Sequence, residues 1–202
     1  MAKVILPGNY FSTALQAVTL LLFLFSAMQA DEKLFSTIRV HADGAVNTNR
    51  ELLHRYFKSS TAISGTVSTP FYLGQAGLGF AKLDFTGKNE SLPDFDMTML
   101  FVSWELSRTI SVASLSARTR VGNTLMKFEE NQVYRGLGEV SESELHIGVG
   151  AGVNFRIWKR LSFQTAWDRI TIFTRQRITL HFISAGLSID FNSPDWLIDI
   201  LK

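Results

Sequence analysis

From Leu145 to Ile157 the chain alternates without an error. Leu145, Ile147, Val149, Ala151, Val153, Phe155 and Ile157 are apolar, and His146, Gly148, Gly150, Gly152, Asn154 and Arg156 between them are small or polar. A period of two sustained this far is a strand with one apolar face, because successive side chains of a strand point to opposite sides. Strands of globular sheets usually run about 5 to 6 residues, whereas one that crosses a bilayer at a tilt takes roughly 9 to 11. This segment has the second length.

The pattern recurs. Ser111, Ala113, Leu115, Ala117, Thr119 and Val121 oppose Ser114, Ser116, Arg118 and Arg120; Leu161, Phe163, Thr165 and Trp167 oppose Ser162, Gln164, Ala166 and Asp168. Counting such segments predicts eight strands, at 34–42, 60–68, 71–85, 96–106, 110–121, 145–157, 161–173 and 177–191. An even number closes into an antiparallel up-and-down barrel with no unpaired edge, as a bilayer demands. The connections alternate in length. Short turns are expected at Ser68–Pro70, Ser107–Thr109 and Trp158–Arg160, on the periplasmic side. Longer connections, 43–59, 86–95 and 122–144, fall on the other side, with Phe173–Arg177 a tight external turn. FVSWELSRTISV (Phe101–Val112) and GVNFRIWKRLSF (Gly152–Phe163) echo one another as strand, tight polar turn, strand. Within the first long connection, Thr48 or Asn49 can cap a short amphipathic helix through 50–57, which would be a lid, an interfacial helix or the upper part of strand two.

Alternation does not say which parity faces inward: a soluble barrel buries its apolar face, a membrane barrel its polar one. Side-chain size favours the second. The polar parity is rich in Gly, Ser and Asn, which suits a narrow lumen, while the apolar parity carries Trp and Phe near strand ends, as lipid-facing girdles do. The lumen network is then Glu105, Arg118, Arg120, His146, Arg156, Gln164, Asp168 and Asp190, whose buried charges must pair with one another. A small pore gated by rearranging those pairs is the alternative use of the same residues.

The first thirty residues read as a secretory leader. Lys3 is the only charge before Asp31, and Ala14–Phe25 is almost wholly apolar yet too short to span a membrane, which takes roughly 20 residues. Small residues follow at Ser26, Ala27 and Ala30, placing cleavage after Ala30. Removing 1–30 lowers the formal charge from +2 to +1, without the clustered basic stripe of a nucleic-acid binder. An exported chain with no cysteine has no disulfide framework and no thiol nucleophile.

The last alternating stretch, SAGLSIDF (Ser184–Phe191), is similar through Ser184, Gly186, Ile189 and Phe191 to the closing-strand signal that outer-membrane barrels present to their assembly machinery. With HIGVGAGVNFRI and RLSFQTAWD before it, the chain resembles the small eight-stranded outer membrane β-barrels of the OmpA transmembrane-domain type. The resemblance covers 31–191 in pattern and 145–191 in local wording. It implies a barrel in the outer membrane, in contact with its lipid and lipopolysaccharide and with the assembly machinery. It does not carry over cell-wall anchoring, because the tail 192–202 is far too short for the domain that performs it. In that tail Asn192 or Ser193 can cap, Pro194 suits a first helical turn and Asp195 favours its positive end, so an interfacial helix with Trp196 as anchor is expected.

Chemistry finds little support. His181 and Ser184, three apart, point to opposite faces of a strand and cannot act as base and nucleophile. His41, His54, His146 and His181 are scattered, and Gly148, Gly150 and Gly152 lie within a strand rather than in a phosphate loop. No cofactor or catalytic role is expected. Three readings stand: an outer-membrane barrel with a structural or adhesive role through its long loops, above all 122–144, whose partner the sequence does not name; a soluble periplasmic lipocalin-like barrel with an apolar ligand inside; and a lipid-modifying outer-membrane enzyme.

Overall fold

The computed structural model describes residues 34–49, 52–89, 92–129, 140–196 and 200. The expected leader 1–30 lies outside them, as do 197–199 of the tail. The long strands are β1 (Thr37–Asn47), β3 (Ala62–Phe71), β4 (Gly74–Gly87), β5 (Phe95–Ile110), β6 (Ala113–Phe128), β7 (Val140–Arg156), β8 (Leu161–Ile172) and β9 (Ile178–Asn192), joined by a short β2 (Phe57–Ser59) and a one-turn helix α1 (Leu52–Tyr56). Around the sheet the order is β4-β3-β1-β9-β8-β7-β6-β5, and β5 pairs back to β4. Every pairing is antiparallel. This is the closed eight-stranded antiparallel barrel that the alternation predicts. First and last strands meet from Thr37↔Asn192 to Asn47↔Phe182.

Strand ends differ from the expectation. Ser107–Thr109 is strand, paired as Ser107↔Ser116 and Thr109↔Ser114, and the hairpin turns two residues later at Ser111 and Val112, with Ser111 at φ 60°. Ser68–Pro70 is likewise strand, and the turn is Tyr72–Leu73 with Tyr72 at φ 49°. Two-residue hairpins need a left-handed residue to match the twist of their strands. Here a serine and a tyrosine supply it where glycine or asparagine would have signalled it. Pro70 is tolerated because the β1 pairing stops at Arg39↔Ser68, so its missing N–H interrupts no ladder on that side.

The connections at the opposite end are shorter than expected. β6 and β7 continue pairing up to Phe128↔Val140, so most of the expected connection 122–144 is barrel wall, and its centre, 130–139, lies outside the described residues. The segment 43–59 holds the end of β1, then α1 and β2. β2 pairs with the top of β4, Phe57↔Gly87 and Ser59↔Phe85, and is therefore the upper part of strand two, interrupted at Ser60 and Thr61.

Candidate functional site

The wall reverses its faces along the strands. Toward the short turns, β5 points Leu100, Val102 and Trp104 outward and Ser103 and Glu105 inward; toward the long loops the same strand points Asp96 and Thr98 outward and Phe95, Met97 and Met99 inward. β4 does likewise, with Leu78 and Phe80 outside above Gly77 and Gly79, then Lys82 and Asp84 outside above Leu83 and Phe85. On β8 the switch falls at Asp168: Trp167 is outside, then Arg169, while Ile170 and Ile172 turn in. The parity never slips. What changes is the chemistry each parity carries.

The loop-end half of the barrel therefore holds an apolar core of the kind found in water-soluble proteins. Leu83, Met97, Ile172 and Leu180 are at most 1% exposed and pack with Phe85, Phe95, Met126, Ile170 and Phe182. Phe85 stacks on Phe95 at 4.6 Å, and Phe57 and Phe128 meet Phe95 at 5.0 and 5.1 Å. Leu53 of α1 rests on this cluster, so the helix caps the filled end of the barrel.

The turn-end half holds the charges. Arg118 donates through Nε to Asp168 Oδ1 at 2.7 Å and through Nη2 to Asp168 Oδ2, and Arg120 Nη2 adds a third bond to Oδ1 at 3.0 Å. Gly150 makes this possible. It is the cross-strand neighbour of Arg118 on one side and of Asp168 on the other, and a Cβ there would collide with Asp168 Oδ1. The guanidinium reaches its carboxylate by passing over a residue without a side chain. Gly148 makes the same room beside Arg120, whose guanidinium also lies 4.7 Å from the centre of the Phe101 ring.

Of the remaining expected members, Gln164 donates to Glu105 at 3.5 Å, and Asp190 is held by Arg39 through two bonds of 2.7 and 3.1 Å. His146 is fully buried, yet its Nδ1 is engaged by Thr124 Oγ1 at 2.9 Å rather than by a charged group. Arg156 is exposed at the rim, at the last rung of β7, and does not belong to the network. The strand runs out there before the side chain can be covered. The sequence reading missed Arg39, His41, Asp43 and Gln75. His41 Nε2 meets Asp43 Oδ2 at 2.9 Å, Ser64 donates to Asp43 Oδ1 at 2.7 Å, and Arg39 also donates to Gln75 at 3.1 Å. The signal was present in the alternation of Arg39, His41 and Asp43 with Val40 and Ala42.

These groups surround a cavity of about 40 Å³, and a second of about 20 Å³ lies at the boundary with the apolar core. Small-molecule sites occupy roughly 300–1,000 Å³, so neither cavity has room for the ligand of a lipocalin-like barrel. Ser184 is buried inside, and His181 faces out toward Trp167, their rings 5.7 Å apart. Among the described residues no group of His, Asp or Glu could hold a metal ion. Ser184, Gly186, Ser188 and Asp190 of the closing strand face inward, and Ile189 and Phe191 face outward. Trp196, in a helical turn with Asp195, is exposed.

A closed eight-stranded barrel with an outward apolar band around a charged interior is the architecture of the small outer-membrane β-barrels. Solved structures agree in fold. Neisserial surface protein A superposes with a TM-score of 0.60 at 12% identity over 76% of this chain and 97% of that one. The N-terminal β-barrel domain of Pseudomonas aeruginosa OprF gives 0.53 at 8%, over 79% and 100%. Ail, the attachment invasion locus protein of Yersinia pestis, gives 0.50 at 13%, over 77% and 99%. No family model and no curated protein matches the chain in sequence.

Proposed function

We propose that the chain is an integral outer-membrane barrel whose turn-end half lies in the bilayer and whose loop-end half stands above it as a rigid, self-supporting surface for structural or adhesive contacts. The observation that carries this reading is the reversal of faces. Strands β5, β6 and β7 are 16, 16 and 17 residues long, well beyond the roughly 9 to 11 needed to cross. The surplus, with that of the 14-residue β4, shows water-facing Lys82, Asp84, Asp96 and Lys127 outside and an apolar core inside. Thus the membrane and soluble arrangements weighed from sequence each describe one half of the wall. The recognition surface is then the projecting wall, and the names of Neisserial surface protein A and of the attachment invasion locus protein support such a role.

The outer end also suits the phosphates of lipopolysaccharide. Arg169 and His181 face out as cross-strand neighbours, and Arg175 and Arg177 follow in the turn, with no carboxylate in ion-pair range among the described residues. On the opposite side Lys82 is already paired, at 3.2 Å from Asp96 and 3.9 Å from Asp84. In this reading the leader 1–30 exports the chain, and Ser184, Gly186, Ile189 and Phe191 are the signal read by the assembly machinery. Trp196 anchors the tail at the periplasmic interface. It assigns no catalysis and no cofactor. The test is fractionation of the native protein: recovery in detergent-extracted outer membrane, with a gel mobility that changes on boiling, is expected. Recovery in water-soluble periplasm would overturn it.

A further inference from the structure

The turn between β7 and β8 carries a groove of about 430 Å³ on the outside of the barrel, lined by Trp158, Lys159, Arg160, Leu161 and Ile189. Its floor is apolar: Leu161 and Ile189 are cross-strand neighbours on the outward face, at the last rung of the β8–β9 pairing. Its mouth is cationic. The turn backbone is fixed to both strands, since Trp158 N donates to Leu161 O at 3.0 Å and Asp190 N donates to Arg160 O at 2.9 Å. The side chains are left standing in solvent, with Trp158 73% exposed.

Neither cation has a carboxylate within ion-pair distance among the described residues, and the nearest acidic candidate on β9, Asp190, is occupied by Arg39. The other two short turns, Tyr72–Leu73 and Ser111–Val112, carry no basic residue. The occupant must therefore combine an apolar stretch that lies along the wall with an anionic group at the rim. A guanidinium binds phosphate oxygens as a fork and an ammonium as a point charge. An indole sits well where hydrocarbon gives way to headgroups.

We infer that this groove holds one anionic phospholipid of the periplasmic leaflet, its phosphate between Lys159 and Arg160 and the upper part of an acyl chain against Leu161, Ile189 and Trp158. The site rests on the membrane placement proposed above, because only that placement brings the groove level with headgroups.

The full chain is incorporated into nanodiscs of phosphatidylethanolamine with a minor fraction of phosphatidylglycerol, then released and weighed by native mass spectrometry. One retained phosphatidylglycerol per chain is expected. The double substitution Lys159→Gln and Arg160→Gln should lower its retention about tenfold, whereas Lys58→Gln with Lys127→Gln, both exposed at the other end, should leave it unchanged. Unaltered gel mobility of both variants shows that the barrel is intact. Equal retention by all three proteins overturns the site alone, as does a dimer whose second copy covers the groove. A native chain that does not enter the nanodisc overturns the membrane placement and this site with it.

Discussion

Arg39 of the first strand grips Asp190 of the last with Nε at 2.7 Å and Nη2 at 3.1 Å. A forked ion pair thus sits across the seam where the two ends of the chain close the barrel. The same guanidinium reaches Gln75 on β4 at 3.1 Å, and Ser68 on β3 donates to that amide at 3.3 Å. The closure therefore ties together β9, β1, β3 and β4.

Asp190→Asn should lower the unfolding free energy by about 1–3 kcal/mol, because Arg39 loses a charged acceptor while most of its other surroundings remain. Urea unfolding of the barrel in lipid, followed by the boiling-sensitive gel shift, measures this. A loss no larger than that of Lys82→Ala would mean the seam closes through its backbone alone.

Asp168 neutralises two guanidiniums, so removing it should cost more than removing either of them. Asp168→Ala is expected to destabilise by about 3–5 kcal/mol, since it leaves Arg118 and Arg120 side by side in the interior. Arg118→Ala should cost less, because Arg120 still faces the carboxylate. Lys127→Ala, outward and exposed on β6, should stay within about 0.5 kcal/mol. The order of the three midpoints in the same unfolding assay is the check.

The apolar core of the loop-end half should behave like that of a soluble domain. Met97→Ala, at a position with 0% exposure, is expected to cost about 2–5 kcal/mol. It should also speed protease cleavage near the loops while the membrane half stays protected. Mass spectrometry of the limited digest distinguishes this from global unfolding.

The height of the bilayer can be read along a single strand. Val102 and Thr98 both face outward on β5. Val102→Arg should destabilise insertion by about 2–4 kcal/mol and Thr98→Arg by about 0–1 kcal/mol, the difference between the middle of the hydrocarbon and its edge. Equal costs would place the water boundary elsewhere on the wall.

The period of two is a property of the extended backbone, and it carries far. Each of the eight long strands overlaps its expected span, and the inward parity of Arg118, Arg120, Gln164, Asp168 and Asp190 follows from counting by twos. Turn positions were less legible. Polar or proline-containing clusters at 68–70 and 107–109 look like turns, but continued cross-strand pairing holds them in the sheet, and the chain reverses at Tyr72 and Ser111 instead. The long loops were overestimated for a related reason: past the apolar band the strands turn polar outside, which reads as loop until the apolar residues on their inner face are seen to meet.

Residue by residue, then, the sequence determined that this chain makes long alternating strands, that they are eight, and which side chains share a face. Only the tertiary structure decided what each face touches. Leu83 and Phe85 have the same parity as Gly77 and Gly79, and nothing local says that one pair belongs to a packed core and the other to the polar half of the interior. That depends on neighbours at the same height on other strands, such as Met97 and Leu180, and on Arg39 finding Asp190 across 151 residues of chain. Closure supplies those neighbours, because a barrel joins residues by height along its wall rather than by distance along the sequence.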